Sequence, residues 1–402
     1  MHSARTRSPY FREVIEAGAA EAALDGTPPH ALGLPVLTKA VIHERLNDVV
    51  AEGLAVPGRP VADSAGDSNE QPTRFYIDPG TQPLRKAVEI RIRQWLGVPI
   101  GERAAILLGG YVENRPSGTV RGRLRRLLAR SCALDAYDLG EARMADHLVT
   151  LRAFGPRLLM GYPSALIRFG EWCAAEGQRI FSLRAIVTFA ETLNEDRRVR
   201  IAETLHAPVY DRYGCREVGC IAHERPGAHG LIVNADRVLI ELLDERGKPV
   251  PEGGLGSVHV TDLDSHRLPL IRYEIGDLAI AVPRPDGQAY PALAQVEAHD
   301  RDVVRTPHGR AVGGIFWTVL LRSQPAFREF QVSQESLDRL RILYLRDPAV
   351  SQPDFQYFRN DIRRTWGEAV EVEFEEVDRI PPGPGGKLQI VRSLMPPIVA
   401  DR

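Results

Sequence analysis

The feature that most constrains the fold is a change of texture near Gly230. Ahead of it, short apolar runs at 103–110, 157–161, 184–190 and 208–213 have the length and density of buried strands, and amphipathic helical stretches separate them. Such alternation implies an α/β domain with a largely parallel sheet. Beyond Gly230 the chain turns β-rich, with segments at 231–243, 256–261 and 268–282 and the turn Asp244-Glu245-Arg246-Gly247. This second texture predicts an antiparallel or barrel-like β-subdomain. The stretch 282–290, with Pro283, Pro285 and Asp286-Gly287, is expected to be a loop leading to a boundary near Asp302. From there to the end, strands at 327–332, 340–344 and 370–376 and a helix at 354–365 read as a small α+β domain. At the other end, apolar positions in 10–23 and 38–50 recur at helical spacing around a Gly/Pro-rich linker at 26–35.

A chain of 402 residues exceeds the size at which one hydrophobic core stops growing, so two domains are expected, divided as 1–301 and 302–402. Formal charge is −2, from 51 basic and 53 acidic residues, which gives no general reason to bind nucleic acid. No apolar run is long enough to cross a bilayer, and the first residues lack a secretory leader's apolar stretch. The expected setting is therefore cytoplasmic, with no membrane and with small molecules as partners. Four cysteines, Cys132, Cys173, Cys215 and Cys220, are too few for a disulfide scaffold and suit a reducing compartment.

The most informative stretch is Tyr213-Gly214-Cys215-Arg216-Glu217, which follows a buried strand and so lies at a strand's C-terminal end, where open α/β sheets bind ligands. An aromatic ring can stack on a base, a glycine allows close approach and a carboxylate can hold Mg²⁺. Five residues alone leave this reading and a plain strand-turn about even. The stretch resembles the YGxxE motif of AMP-forming adenylating enzymes, in the form typical of the phenylacetate-CoA ligase-like and capsule-biosynthesis branch. Other blocks follow in that family's order. Leu34-Pro35-Val36-Leu37-Thr38-Lys39 is similar to its entry segment, Gly161-Tyr162-Pro163-Ser164 to its "YPS" helix start, and Phe189-Ala190-Glu191-Thr192-Leu193 to its "GEtL" segment. Pro269-Leu270-Ile271-Arg272-Tyr273-Glu274-Ile275-Gly276-Asp277 is similar to "PLIRYxxGD", and Pro384-Gly385-Gly386-Lys387 stands where the family carries a mobile lysine. Taken without the family, Ser164 reads as a helix cap and Lys387 as a solvated lysine. A Walker A loop is rejected, because Pro381 occupies its first glycine.

The resemblance implies ATP-dependent activation of a carboxylic acid, of aryl or arylacetic type by family default, to acyl-AMP with release of pyrophosphate. Transfer to CoA, a carrier-protein thiol or an amine would follow. It implies a large N-terminal adenylating domain with mixed sheets and a β-subdomain, and a mobile C-terminal domain turning about a hinge at Asp302. Lys387 and Glu217 take catalytic roles, Glu217 through Mg²⁺. Ser68, Asn69, Glu191, Asp211, Tyr213, Gly214, Arg216, Asp277, His299 and Arg301 border the nucleotide, and Gly110, Tyr111, Tyr162 and Ala190 the acid. A homodimer is compatible with the resemblance.

The chain departs from the family pattern in three places. In the phosphate loop, Ala65-Gly66-Asp67-Ser68-Asn69-Glu70-Gln71-Pro72, acidic Asp67 and Glu70 replace glycines, which should repel a triphosphate and stiffen the backbone nest. That favours the alternative of an acyltransferase-like or non-catalytic acyl- or nucleotide-binding descendant. At the hinge, His299 replaces an arginine. Finally, Cys215, Cys220, His223 and His229 do not supply four zinc ligands at the usual spacing, so zinc is not expected.

Overall fold

A computed structural model describes residues 2–17, 33–53, 62–63, 74–108, 130–180, 182–244, 246–282, 291–297, 303–308, 311–321, 326–346, 350, 352–380 and 391–395. By compactness the chain forms two units. The first comprises residues 1–66, 70–92 and 212–297, and the second the remainder.

The first unit begins with helices α1 (His2–Arg7), α2 (Pro9–Ala17) and α3 (Lys39–Val49). Pro9 opens α2, where a missing N–H costs nothing, and the Ser8 hydroxyl accepts from the Phe11 amide at 3.4 Å. Thr38 caps α3 by accepting from the Val41 amide at 3.2 Å. Phe11, Ile15, Ile42 and Val49 carry the buried stripes. Two short strands, β1 (Ala62–Asp63) and β2 (Arg74–Phe75), pair antiparallel, and α4 (Thr81–Trp95) follows.

The second unit contains the expected α/β alternation: β3 (Ala104–Leu107), β4 (Ser131–Leu134), α5 (Glu141–Phe154), β5 (Leu158–Gly161), α6 (Pro163–Ala175), β6 (Ala185–Thr188), α7 (Glu195–Leu205) and β7 (Val209–Cys215). The strands are parallel in the order β4-β3-β5-β6-β7. Every residue of β6 is buried, the mark of a strand covered on both faces. An arginine precedes each of four of these strands and donates to a loop carbonyl: Arg103 to Phe154 at 2.6 Å, Arg130 to Gly101 at 2.9 Å, Arg157 to Ser182 at 3.2 Å and Arg184 to Gly97 at 3.5 Å. Asn194 caps α7 through the Arg197 amide, with Glu195 and Asp196 in its first turn.

Residues 212–215 of β7 belong to the first unit, where they pair antiparallel with β8 (Gly219–His223). Then come β9 (Leu231–Val233), β10 (Val238–Leu243), β11 (Leu255–Asp262), β12 (Tyr273–Val282) and β13 (Ala292–Glu297), in the antiparallel order β10-β11-β12-β13-β9-β8. The β texture was legible, but its divisions were not. The segment 231–243 is two strands, because the chain turns at 234–237, where the Arg237 amide reaches back to the Asn234 carbonyl. The segment 268–282 becomes strand only at Tyr273, after Arg272 takes a left-handed φ of 52°. Strands β8 and β13 were not foreseen.

The C-terminal part of the second unit holds β14 (Val303–Arg305), β15 (Ala311–Gly313), α8 (Gly314–Leu321), β16 (Phe327–Ser336), β17 (Arg339–Arg346), α9 (Phe355–Trp366), β18 (Glu371–Glu376) and β19 (Val391–Ser393). Its four-stranded sheet runs β18-β17-β16-β19, mixing one antiparallel pair with two parallel ones. Trp317, Trp366, Phe327 and Phe358 build a separate aromatic core. Helix α8 escaped the sequence reading because Ile315-Phe316-Trp317-Thr318-Val319-Leu320-Leu321 is apolar all round and carries no 3.6-residue stripe.

Candidate functional site

In the first unit, two motif blocks 64 residues apart meet. The Tyr213 hydroxyl donates to Asp277 Oδ2 at 2.9 Å. Burial pushes the Tyr213 phenol well above its ordinary pKa, and the Asp277 carboxylate adds to the shift, so the phenol stays protonated and donates. Asp277 owes its place to a bulge: Ser257 pairs with Leu278 and His259 with Glu274, so Ile275, Gly276 and Asp277 together oppose Val258. Gly276 makes the bulge accessible with φ 101°, and a Cβ there would sit 3.6 Å from Lys39 Nζ.

The entry block is tied to the same strand. Leu37 bridges Tyr273: its amide donates to the Arg272 carbonyl at 3.1 Å, and its carbonyl accepts from the Glu274 amide at 3.0 Å. Arg272 is buried, bonded through Nε to Glu241 at 3.2 Å and through Nη1 to the Leu34 carbonyl. The arginine of "PLIRY" thus has a structural task in this chain, one that its place in the motif did not reveal.

Glu217 sits in the tight connection between β7 and β8 and is 8% exposed. Its Oε1 accepts from the Tyr273 hydroxyl at 3.2 Å. Arg85, on α4, clasps the turn by donating to the Arg216 carbonyl at 3.0 Å and to the Glu217 carbonyl. The aliphatic part of Arg85 lies against Gly219, whose φ of 92° calls for glycine. Gly214 has a packing reason of its own, since a Cβ there would overlap the Gly219 carbonyl. Burial, with the Glu217 carboxylate close by, pushes the Cys215 thiol well up and keeps it protonated. Among the described residues no three His, Cys, Asp or Glu side chains gather as a metal cage. A lone carboxylate such as Glu217 nevertheless suits Mg²⁺, which takes most of its ligands from phosphate oxygens and water.

In the second unit, Glu191 follows β6 and is committed three times over. It accepts from the Ser164 hydroxyl at 2.5 Å, from the Ser164 amide at 3.2 Å and from Arg197 Nη1 at 3.0 Å. Ser164 is therefore no helix cap, as the sequence suggested. The capping position of α6 is Tyr162, which makes no side-chain cap bond, and Glu191 satisfies the helix N-terminus instead. Ala190 adopts φ 67°, a left-handed conformation that a glycine takes without cost, at the place where the family's motif has glycine. Asp211 accepts from the buried Thr188 hydroxyl at 2.7 Å. Tyr162 packs beside Tyr137 at 6.4 Å and edge-on to Phe189 at 5.5 Å, an aromatic cluster at the strand ends. Arg216 is exposed at the tip of the β7–β8 turn.

Ser68 and Asn69 of the phosphate loop, Gly110, Tyr111, His299, Arg301, Asp302 and Lys387 lie outside the described residues. Sequence reasoning missed Arg85, Arg197 and Tyr273. Arg85 and Arg197 belong to no motif, and Tyr273 lies within the PLIRYxxGD block with no role assigned to it; each acts through a contact that only folding makes.

Comparison with known proteins agrees with this architecture. Residues 304–393 match the family of the CapK C-terminal domain. The chain is 23% identical over 260 residues to Protein CapK of Staphylococcus aureus, covering 63% of this chain and 56% of that protein. It is 30% identical over 141 residues to the phenylacetate-coenzyme A ligase of Thermus thermophilus, covering 33% and 31%. The matched stretches thus span about half and about a third of the length of these curated relatives. Among solved structures, a 2-hydroxyisobutyryl-CoA ligase in the postadenylation state with 2-HIB-AMP superposes with a TM-score of 0.62 at 19% identity, covering 98% of this chain and 86% of that one. The fold is therefore the one seen in that acyl-CoA ligase. The sequence relatives are thus Protein CapK and a phenylacetate-coenzyme A ligase, each similar to this chain over part of its length.

Proposed function

We propose that this chain activates a carboxylic acid with ATP. A carboxylate oxygen of the acid attacks the α-phosphorus, the bond from that phosphorus to the bridging oxygen breaks, and pyrophosphate leaves. A thiol of CoA or of a carrier protein, or an amine, then attacks the acyl carbon, its proton is lost and AMP departs. The single observation that carries this reading is the Tyr213–Asp277 hydrogen bond, which unites two motif blocks around one nucleotide-sized task. The Tyr213 ring offers a face for the base, and Asp277 is a carboxylate of the kind that accepts from ribose hydroxyls. Glu217 would hold Mg²⁺, which neutralises phosphate charge when bound. Arg85 and Tyr273 fix Glu217's backbone and carboxylate, and Lys387 would supply a cation for the developing charge. The cluster of Tyr137, Tyr162 and Phe189 supports an aryl acid. The separate core of residues 304–391 supports a C-terminal domain that turns near Asp302 to exchange the first half-reaction for the second.

Acidic Asp67 and Glu70 in the phosphate loop favour a second reading, a descendant that handles an acyl group already activated elsewhere. Hydroxylamine-trapped pyrophosphate release from MgATP across aryl, arylacetic, amino and short-chain acids separates the two. Release that depends on one acid and falls by orders of magnitude in Lys387→Ala supports adenylation. No release with any acid and no thermal stabilisation by ATP would overturn it in favour of the transferase or binding reading.

A further inference from the structure

Within the second unit, α6 and α7 on one side and α8 and α9 on the other enclose a cleft of about 470 Å³, the size of a small-molecule site. Ile167, Trp172, Phe316 and Leu320 give it an apolar wall. Most of its charges are already matched. Glu171 accepts from Arg200 at 2.5 Å and from Arg364 at 3.4 Å, Arg364 also reaches Asp361 at 3.3 Å, and Arg197 is held by Glu191.

Among the described residues Arg168 and Glu141 are the exceptions, and Arg168 is the more buried of the two. Its Nε donates to the Leu139 carbonyl at 3.1 Å, and Nη1 donates to the Tyr357 hydroxyl, whose ring lies 4.9 Å beneath the guanidinium. The Tyr357 hydroxyl passes its own proton toward Asp361 at 3.3 Å. No carboxylate pairs directly with Arg168 among the described residues, and Nη2 retains unused donors beside the cleft. Burial holds the guanidinium below its ordinary pKa, against the opposing pull of Tyr357, Asp361, Glu141 and Glu171.

We propose that this cleft is a second ligand site, taking a small aryl carboxylate whose anion pairs with Arg168 and whose ring rests on the wall of Trp172 and Ile167. A guanidinium with no carboxylate in direct contact can take one carboxylate as its ion-pair partner. Glu141, Glu171 and Asp361 around it disfavour a polyphosphate, and the apolar wall gives an aromatic ring a dry surface. Because the wall is built from α6 and α7 and also from α8 and α9, an occupant would touch the C-terminal part of the unit and hold it against α6. The site shares no residue with the Tyr213, Asp277 and Glu217 cluster, and only Ser164 and Arg197 on its edge also hold Glu191.

The test is calorimetric titration of phenylacetate into the full chain without ATP, with uncharged phenylacetamide as control. Saturable binding of phenylacetate but not of the amide, weakened about tenfold or more in Arg168→Met and partly restored in Arg168→Lys, is the expected result. Should Arg168→Met fail to fold, Ala174→Trp fills the cleft with Arg168 intact and must abolish the same binding. Equal affinity for acid and amide, or binding unchanged in Arg168→Met and Ala174→Trp, would overturn the proposal. So would binding lost only when Ala190→Trp blocks the strand-end cluster, which would assign the acid to the adenylation site alone.

Discussion

Glu217 and Glu191 are both buried carboxylates, and each belongs to a motif at the end of a strand, yet their surroundings differ in kind. Glu217 meets a neutral tyrosine hydroxyl, while the arginine nearest it, Arg85, is spent on backbone carbonyls. Glu191 is paired with Arg197, and both side chains are almost wholly removed from solvent, at 5% and 6% exposure. A carboxylate held by a neutral donor keeps its charge available to a cation that arrives with a ligand, whereas one locked in a buried ion pair holds the fold together. The contrast separates a residue suited to chemistry from one suited to architecture, though the same family motif set contains both.

The largest expected effect falls on the locked pair. Glu191→Gln strands the Arg197 cation in a buried setting and should cost about 3–5 kcal/mol of stability, read by chemical denaturation. An unchanged midpoint would break the comparison, because Glu191 would then be as free as Glu217. Next comes pH. His223, on β8 just after the Glu217 turn, is buried, and desolvation lowers its pKa to about 4 from an ordinary 6.5. A depressed histidine favours the neutral folded form, so its contribution is fully present above pH 6.5 and is lost as pH falls from 6.5 toward 4. About 3 kcal/mol is at stake across that window. A His223→Gln variant should flatten this part of the stability–pH curve. Glu217→Gln should leave the denaturation midpoint within about 1 kcal/mol but lower acid-dependent pyrophosphate release about a hundredfold. The reverse pattern would make Glu217 the architectural residue. The smallest effect is at Ala190, where glycine relieves a left-handed backbone. Ala190→Gly should be neutral or stabilising by up to about 1 kcal/mol, in contrast to the usual penalty for glycine.

Much of this molecule was legible because its signals are local. The α/β alternation, the β texture after Gly230 and the helix at 355–366 all follow from periodicity within a single segment. The candidate residues were found by resemblance, in short blocks whose order along the chain could be read directly. Where the signal was not local, the reading failed: α8 has no polar face to phase it, β13 falls between the loop expected at 282–290 and the boundary expected near Asp302, and Ser164 looked like a cap because Glu191 is distant in sequence.

By itself, then, the sequence determined the classes of element, their order and the residue types brought to the site. Only the tertiary structure decided what each charge faces. It set Tyr213 against Asp277 across 64 residues, bound Arg272 to Glu241 and Leu34, and placed Arg85 behind the Glu217 turn. It also left Arg168 without a carboxylate in direct contact among the described residues. The physical reason is that helix and strand patterns depend on neighbours a few residues away. The pairing of a buried charge depends instead on whichever distant side chain desolvation forces against it.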